Sequence, residues 1–255
     1  MRICKMTLRE VQLEILKILK DIDAHCKKHN IRYSLAFGSL LGAIRHNGFI
    51  PWDDDLDIYM PRDDYNRFLK TWNYESYCIV NLETDPKYTN TFSKVKRKLD
   101  ANSETPFFVD VFPLDKCPKN KIKRMLLQIA GVVMVLMSRR NVPLSTGSGI
   151  EKVVKFFLKM IPAFLCLKIW RLMEKFFSRY SYVTTDFDYF SCSILHNVYW
   201  FKPFDFFDGL IEHRFEDALF PIVKDFDWYL HKEYGDYMQL PPEEKRVAPH
   251  FDNLE

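Results

Sequence analysis

Apolar residues recur at steps of three and four from the start of the chain, at Leu8, Val11, Ile15, Leu19, Ile22 and Cys26, the period of a helix with one buried face. Thr7-Leu8-Arg9-Glu10 has capping-box spacing, so a helix is predicted over Leu8 to Lys28, with Asn30 ending it in a left-handed conformation. Ile31 to Ala36 reads as a short strand entering a Gly38-Ser39 turn, and the next helix is expected to start at Ser39. After the loop Gly48 to Trp52 the period changes to two. Leu56, Ile58 and Met60 alternate with Asp55, Asp57 and Tyr59, predicting a strand with one greasy face and one that carries carboxylates. Pro61 suits the first turn of a helix running to about Thr71, because its missing N–H would be unpaired there anyway.

Further strands are expected near Tyr77 to Leu82, Thr91 to Arg97 and Phe107 to Phe112. From Lys119 the pattern turns helical, over Lys121 to Met137 and Glu151 to Arg179, around a polar stretch from Ser138 to Gly149 and with Pro162 interrupting the second helix. Phe204 to Phe207 and Leu210 to Phe215, separated by Asp208-Gly209, read as a hairpin, and Asp225 to Tyr234 as a short helix stopped by Gly235. The fold class is α+β: a mixed sheet with flanking helices and a helical insertion. The organisation expected is a catalytic core over 1–118, a helical insertion or subdomain over 119–200, and a C-terminal segment over 201–255 that packs back on the core.

Composition narrows the functional classes. With 255 residues and 47% hydrophobic content the chain can bury a full core. The six cysteines lack a CxxC pair, so the sequence suggests neither a zinc site nor a disulfide framework and fits a reducing cytoplasm. A net charge of +3 argues against bulk nucleic-acid binding. The apolar run Met125 to Met137 is 13 residues long, short of the roughly 20 that a spanning helix needs. With its basic flanks, and together with Val153 to Ile161, it is a candidate for contact with an anionic membrane surface.

The candidate chemistry lies between Gly38 and Ile58. In a strand, residues two apart face the same side roughly 6.6–6.8 Å from one another, so Asp55 and Asp57 can converge on one metal ion. Carboxylates without a neighbouring Cys or His favour a hard cation, Mg²⁺ or Mn²⁺. Asp53 adds negative charge at the mouth and is an additional candidate ligand. An EF-hand numbered from Asp53 would need Gly at its sixth position and Glu at its twelfth, where Ile58 and Asp64 stand. Asp110, among residues that want burial, is a candidate third ligand or the base that activates an acceptor hydroxyl. Gly38 and Ser39, at a strand-to-helix turn, would let backbone N–H groups approach a phosphate. The order of strand, Gly-Ser, helix, loop, strand with Asp-x-Asp and strand with a lone Asp resembles the nucleotidyltransferase fold.

GSLLGAIRHNGFIPWDDDLDI, from Gly38 to Ile58, closely resembles the LicD family, to which fukutin-related ribitol-phosphate transferases are similar. The likeness extends through Pro61 to Tyr65, Phe92 to Lys94, Val109 to Asp115 and Tyr234 to Met238 with Leu240-Pro241-Pro242. The resemblance implies transfer of a phospho-alcohol, phosphocholine foremost, from a CDP-activated donor to a cell-surface or capsular glycan, with release of CMP. It implies that Asp55, Asp57 and Asp110 hold the metal with Asp53 preceding them, that Gly38 and Ser39 form the phosphate turn, and that Arg45, His46 and Lys94 contact the donor phosphates or the leaving CMP. Tyr234 to Met238 and His250 match a family pattern. Trp52 and Tyr59 lie close in sequence to the metal run, where a choline ammonium would need an aromatic face. The acceptor would be a glycan, lipid-linked at the inner membrane face in one reading, and the enzyme cytoplasmic or peripheral there. Two alternatives stay open: another nucleotidyltransferase-fold enzyme that moves NMP to a small molecule, and a non-catalytic glycan-assembly partner, against which the intact carboxylate set weighs.

Overall fold

The amphipathic pattern at the front of the chain becomes helix α1 (Leu8–His29) in the computed structural model, which describes residues 6–98, 107–138, 140, 156–183, 187–191, 201–203 and 205–248. Its capping box is complete: Thr7 Oγ1 accepts the Glu10 N–H at 3.3 Å, and the Glu10 carboxylate accepts the Thr7 N–H at 2.7 Å. Asn30 closes the other end at φ 53°, its N–H returning to the Cys26 and Lys27 carbonyls. Val11, Ile15, Ile18, Leu19 and Ile22 are wholly buried, each contributing about 1.5–3 kcal/mol of apolar burial.

The following elements are β1 (Ser34–Leu35), α2 (Phe37–His46), β2 (Asp57–Pro61), α3 (Arg62–Thr71), β3 (Tyr77–Val80), β4 (Ser93–Arg97) and β5 (Phe108–Pro118). Then come α4 (Lys121–Ser138), α5 (Ala163–Val183), β6 (Phe187–Ser191), β7 (Phe201–Pro203), β8 (Ile211–Phe215), β9 (Ala218–Ile222) and α6 (Phe226–Tyr234), which Gly235 ends at φ 68°. The main sheet is mixed, in the order β1-β2-β5-β4-β3, and the architecture is α+β. Strand β1 pairs antiparallel with β2, Ser34 opposite Tyr59 and Leu35 opposite Ile58.

Four expectations change. The first strand shrinks to two residues, and α2 begins at Phe37 instead of Ser39, because Phe37 itself turns the chain at φ 44°. Strand β2 begins at Asp57, so Asp55 precedes it. On the carboxylate-bearing side of β2 Asp57 is half-buried, but Tyr59 is fully buried among Phe37, Phe112, Phe206 and Tyr229. Among the described residues the hairpin near the C-terminus is β8–β9, not 204–207 with 210–215. Its two-residue turn is Glu216-Asp217, where Phe215 faces Ala218 and Glu216 takes φ 58°. No Gly or Asn marks that turn, whereas Asp208-Gly209 forms a turn without joining two paired strands. Phe204 lies outside the described residues.

The chain divides into two compact units, Met1–Cys78 with Lys94–Phe112 and Asp205–Glu255, and Ile79–Ser93 with Pro113–Phe204. The first holds α1 to α3, β1, β2, the front of β5, the β8–β9 hairpin and α6. In the second, the back of β5 pairs antiparallel with β6, Asp115 opposite Ser191, and β6 pairs with β7. There α4 and α5 pack on one another, and the helix expected over 151–179 is broken at Ile161-Pro162; residues 151–155 lie outside the described residues.

One tight crossing fixes how α2 meets the loop after it. A Cβ on Gly42 would stand 2.4 Å from the Gly48 carbonyl oxygen and 3.3 Å from the Ile50 nitrogen, both backbone atoms, and the Gly48 N–H bonds the Gly42 carbonyl at 3.3 Å. Gly42→Ala is therefore expected to destabilise the protein by about 1–3 kcal/mol, the range for overpacking. Urea unfolding of the variant measures this, and an unchanged midpoint would contradict the crossing.

Candidate active site

The site is assembled around the first turn of α2 and the start of β2, all within the first unit. Asp57 is tied down through both backbone groups: its N–H donates to Ser39 Oγ at 2.8 Å and its carbonyl accepts the Ala36 N–H at 2.9 Å. The Asp110 N–H donates to the Leu56 carbonyl at 2.8 Å. These three bonds set the turn, the Asp-x-Asp segment and Asp110 of β5 side by side. Ser39 is buried, and its oxygen here positions Asp57. Gly38 makes room for a carboxylate, since a Cβ there would lie 2.9 Å from Asp53 Oδ2. The first turn of α2 thus faces negative charge, the placement its dipole favours.

Asp53, Asp54 and Asp55 each offer a carboxylate oxygen, all within 4.8 Å of one another. Sequence reading gave Asp54 no role, yet it is 2% exposed and belongs to the cluster. Burial pushes the Asp53 carboxyl up to about 8, with the charges of Asp55 and Asp54 and a hydrogen bond to Asp55 adding to the shift. Burial also lifts Asp57 well above the usual carboxylate range, and the charges of Asp55, Asp110 and Asp53 push the same way. Those shared effects bring Asp57 and Asp110 into one electrostatic group with the Asp53–Asp55 cluster.

Asp110 is 6% exposed. One of its oxygens accepts from Lys94 Nζ at 3.0 Å. The other lies 2.9 Å from the same nitrogen but is buried and lacks a hydrogen bond among the described residues. Burial raises this carboxyl to about 7 although Lys94 pulls it down. Lys94 Nζ also sits 3.5 Å from the Phe108 ring centroid. A crowd of buried oxygen donors, too close to ionise together and answered here by the single Lys94 ammonium, fits a hard divalent cation.

Arg45 and His46 stand at the end of α2. Arg45 Nε donates to His46 Nε2 at 2.9 Å, and its Nη1 to the Tyr237 carbonyl at 2.8 Å, tying the C-terminal segment to α2. Burial and the Arg45 charge lower the His46 pKa, so the ring is neutral near pH 7. Trp52 meets His46 edge-on at 6.2 Å and holds the Arg246 guanidinium 5.2 Å from its ring centroid. Tyr59, in the core, offers no face to a ligand. Tyr234, the last residue of α6, feels the charges of Asp57, Asp53 and Asp55; burial first and then those charges raise its phenol. His250 lies outside the described residues.

Sequence reading missed a clamp behind the site. Gln12 of α1 is buried and donates Nε2–H to the carbonyls of Ile50 at 3.2 Å and Asp53 at 2.8 Å. Arg9 donates to Gln12 Oε1 at 3.1 Å and to Glu216 Oε1 at 2.8 Å. Glu216 accepts the Phe49 N–H at 3.1 Å, and its own N–H bonds the Asn47 carbonyl at 2.8 Å. Three side chains from α1 and the β8–β9 turn therefore hold the loop that delivers Asp53. The available signal was a glutamine on the apolar stripe of α1; nothing local marked Glu216.

Residues 30–131 match the family described as LicD/FKTN/FKRP, nucleotidyltransferase domain. Over a 268-residue alignment covering 97% of each chain, the sequence is 34% identical to the lipopolysaccharide cholinephosphotransferase LicD of Haemophilus influenzae. Shorter matches are to uncharacterized proteins of Rickettsia typhi, 45% identical over 22% of this chain and 18% of that protein, and of Rickettsia prowazekii, 46% identical over 20% of each.

Two measurements test the site as built. Glu216→Ala is expected to cost about 1–3 kcal/mol of stability, the range for leaving hydrogen-bonded partners unpaired, and to couple with Arg9→Ala in a double-mutant cycle; strict additivity would contradict the clamp. Asp53 and Asp110, raised to about 8 and about 7, hold protons in the folded state that the unfolded chain has released, so their contribution to stability falls as pH rises through that range. Added Mn²⁺ should then raise the melting temperature more at about pH 8 than at about pH 5.5, where protons compete with the ion. An equal gain at both values would contradict the crowding.

Proposed function

The chain belongs to the LicD family, and on that premise we propose that it transfers phosphocholine from CDP-choline to a hydroxyl of a cell-surface glycan, releasing CMP. The observation that carries the reading is the gathering of Asp53, Asp54 and Asp55 beside the first turn of α2, with Asp57 electrostatically coupled to that cluster and to Asp110, which Lys94 pairs. A phosphoryl transfer needs concentrated positive charge against a diphosphate, and a carboxylate cluster supplies it by recruiting a cation. Asp55, Asp57 and Asp110 would hold Mg²⁺ or Mn²⁺, with Asp53 and Asp54 adjacent; when bound, the ion neutralises the donor diphosphate.

The chain's own groups divide the remaining work. The N–H groups that open α2, at Gly38 and Ser39, suit a donor phosphate, as helix N-termini generally do. Lys94 offers an ammonium that can be shared between Asp110 and a phosphate oxygen. In place of holding the ion, Asp110 is the alternative acceptor for the proton of an attacking hydroxyl. Arg45, bound to the Tyr237 carbonyl, joins α2 to the C-terminal segment, and His46 orders its side chain. Trp52, already hosting a guanidinium, is the aromatic face suited to the choline ammonium. The acceptor is taken to be a lipid-linked glycan at the inner face of the membrane, with the enzyme working from the cytoplasm.

The test is CMP release from CDP-choline, CDP-ethanolamine, CDP-glycerol and CDP-ribitol with Mg²⁺ and a soluble glycan acceptor. CDP-choline is expected to be the best donor, with activity removed by chelator and reduced about a hundredfold or more in Asp57→Asn. Pyrophosphate release from a nucleoside triphosphate, in place of CMP release, would support NMP transfer instead. Absence of both would favour a non-catalytic role.

A further inference from the structure

We infer that the outer face of α4 and α5, in the second unit, docks on an anionic lipid bilayer and lies in its interface. The inference rests on the reading of a lipid-linked acceptor for its purpose; the surface itself is argued from residues that take no part in the candidate active site.

A helix on the surface of a globular unit ordinarily turns one apolar stripe inward and a polar one outward. Helix α4 turns apolar residues both ways. Leu127, Ala130 and Met134 are buried, while Ile122, Met125, Leu126, Ile129 and Val132 form a second stripe at helical spacing that is exposed, Ile122 by 66%. The segment 156–160 and α5 add Phe156, Phe157, Met160, Phe164, Leu172 and Phe176, with Phe164 72% exposed. Scattered exposed apolar residues need no explanation, but a concentration on two packed helices does. No helix among the described residues is long and apolar enough to cross a membrane.

Charge selects the occupant. Helix α4 carries Lys121, Lys123 and Arg124 with no Asp or Glu. Segment 156–160 carries Lys159, and α5 carries Lys168, Lys175 and Arg179 with Glu174 as its one acidic residue, while Arg171 is paired with Glu83 at 3.0 Å. Apolar side chains interleaved with cations match an anionic headgroup layer above acyl chains. They do not match a second copy of this chain, because a symmetric contact would set lysines and arginines against one another. Beside Phe164 opens a cavity of about 250 Å³, lined by the apolar Leu82, Leu167 and Trp170 and by the polar Ser138 and Arg140.

Sedimentation of the full chain with lipid vesicles tests this. Retention is expected on vesicles of phosphatidylcholine with phosphatidylglycerol, weakening as salt rises, and little on phosphatidylcholine alone. Ile122→Glu with Ile129→Glu, and separately Lys168→Glu with Lys175→Glu, should each weaken retention at least tenfold while leaving CMP release with a soluble acceptor unchanged. Absence of retention, equal retention on neutral vesicles, or variants that bind like the parent would overturn the inference. So would variants that convert a dimer to a monomer in light scattering, which would assign the face to a second copy. Vesicle binding without CMP release from any CDP-alcohol would instead remove the proposed function and leave the surface standing.

Discussion

Carboxylates of like charge repel, and this chain places Asp53, Asp54, Asp55 and Asp57 within five residues and brings Asp110 to them from another strand. The fold around them is organised to hold that arrangement. Ser39 Oγ, the Ala36 N–H and the Asp110 N–H fix the backbone of Leu56 and Asp57, and Gln12 fixes the Asp53 carbonyl from behind. With the backbone held, repulsion can be relieved through protons or cations. The raised pKa values of Asp53, Asp57 and Asp110 record the first route; Lys94 on Asp110 is an example of the second. A divalent ion would relieve more charge than either, which ties the architecture of the turn to the chemistry proposed for it.

The elements that set up this centre were largely legible from periodicity and short motifs. Helix α1 followed from its three-four spacing and the Thr7–Glu10 box, and α6 from its Gly235 stop. The run from Gly38 to Asp57 was legible as a site because residue types with chemical meaning stand close in sequence. What was not legible depends on partners far along the chain. Tyr59 looked like the polar side of a strand, but phenylalanines and a tyrosine from β5 and the C-terminal segment cover it. Glu216 sits in an unmarked turn and acquires its role because it reaches Arg9, Asn47 and Phe49. Asp54 was passed over because alternation assigned it to neither member of the Asp-x-Asp pair, whereas it lies in the segment before β2, outside any strand, and its carboxylate belongs to the cluster.

The spacing of the glycines shows how closely sequence and site are joined. Gly38 leaves space for the Asp53 carboxylate and Gly42 for the returning backbone at Gly48. Each omits a side chain where a functional segment passes. By contrast α4 and α5 owe their character to composition: apolar on two faces and basic, they keep a pattern that solvent alone would not favour.

The central claim is that the clustered carboxylates bind a divalent cation. Titration of the purified protein with Mn²⁺, following the free-ion signal by electron paramagnetic resonance, measures this without substrate or acceptor. The account predicts saturable Mn²⁺ binding that is lost or strongly weakened in a folded Asp57→Asn variant and displaced by Mg²⁺. A protein that binds no Mn²⁺, or binds it equally well without the Asp57 carboxylate, would contradict it.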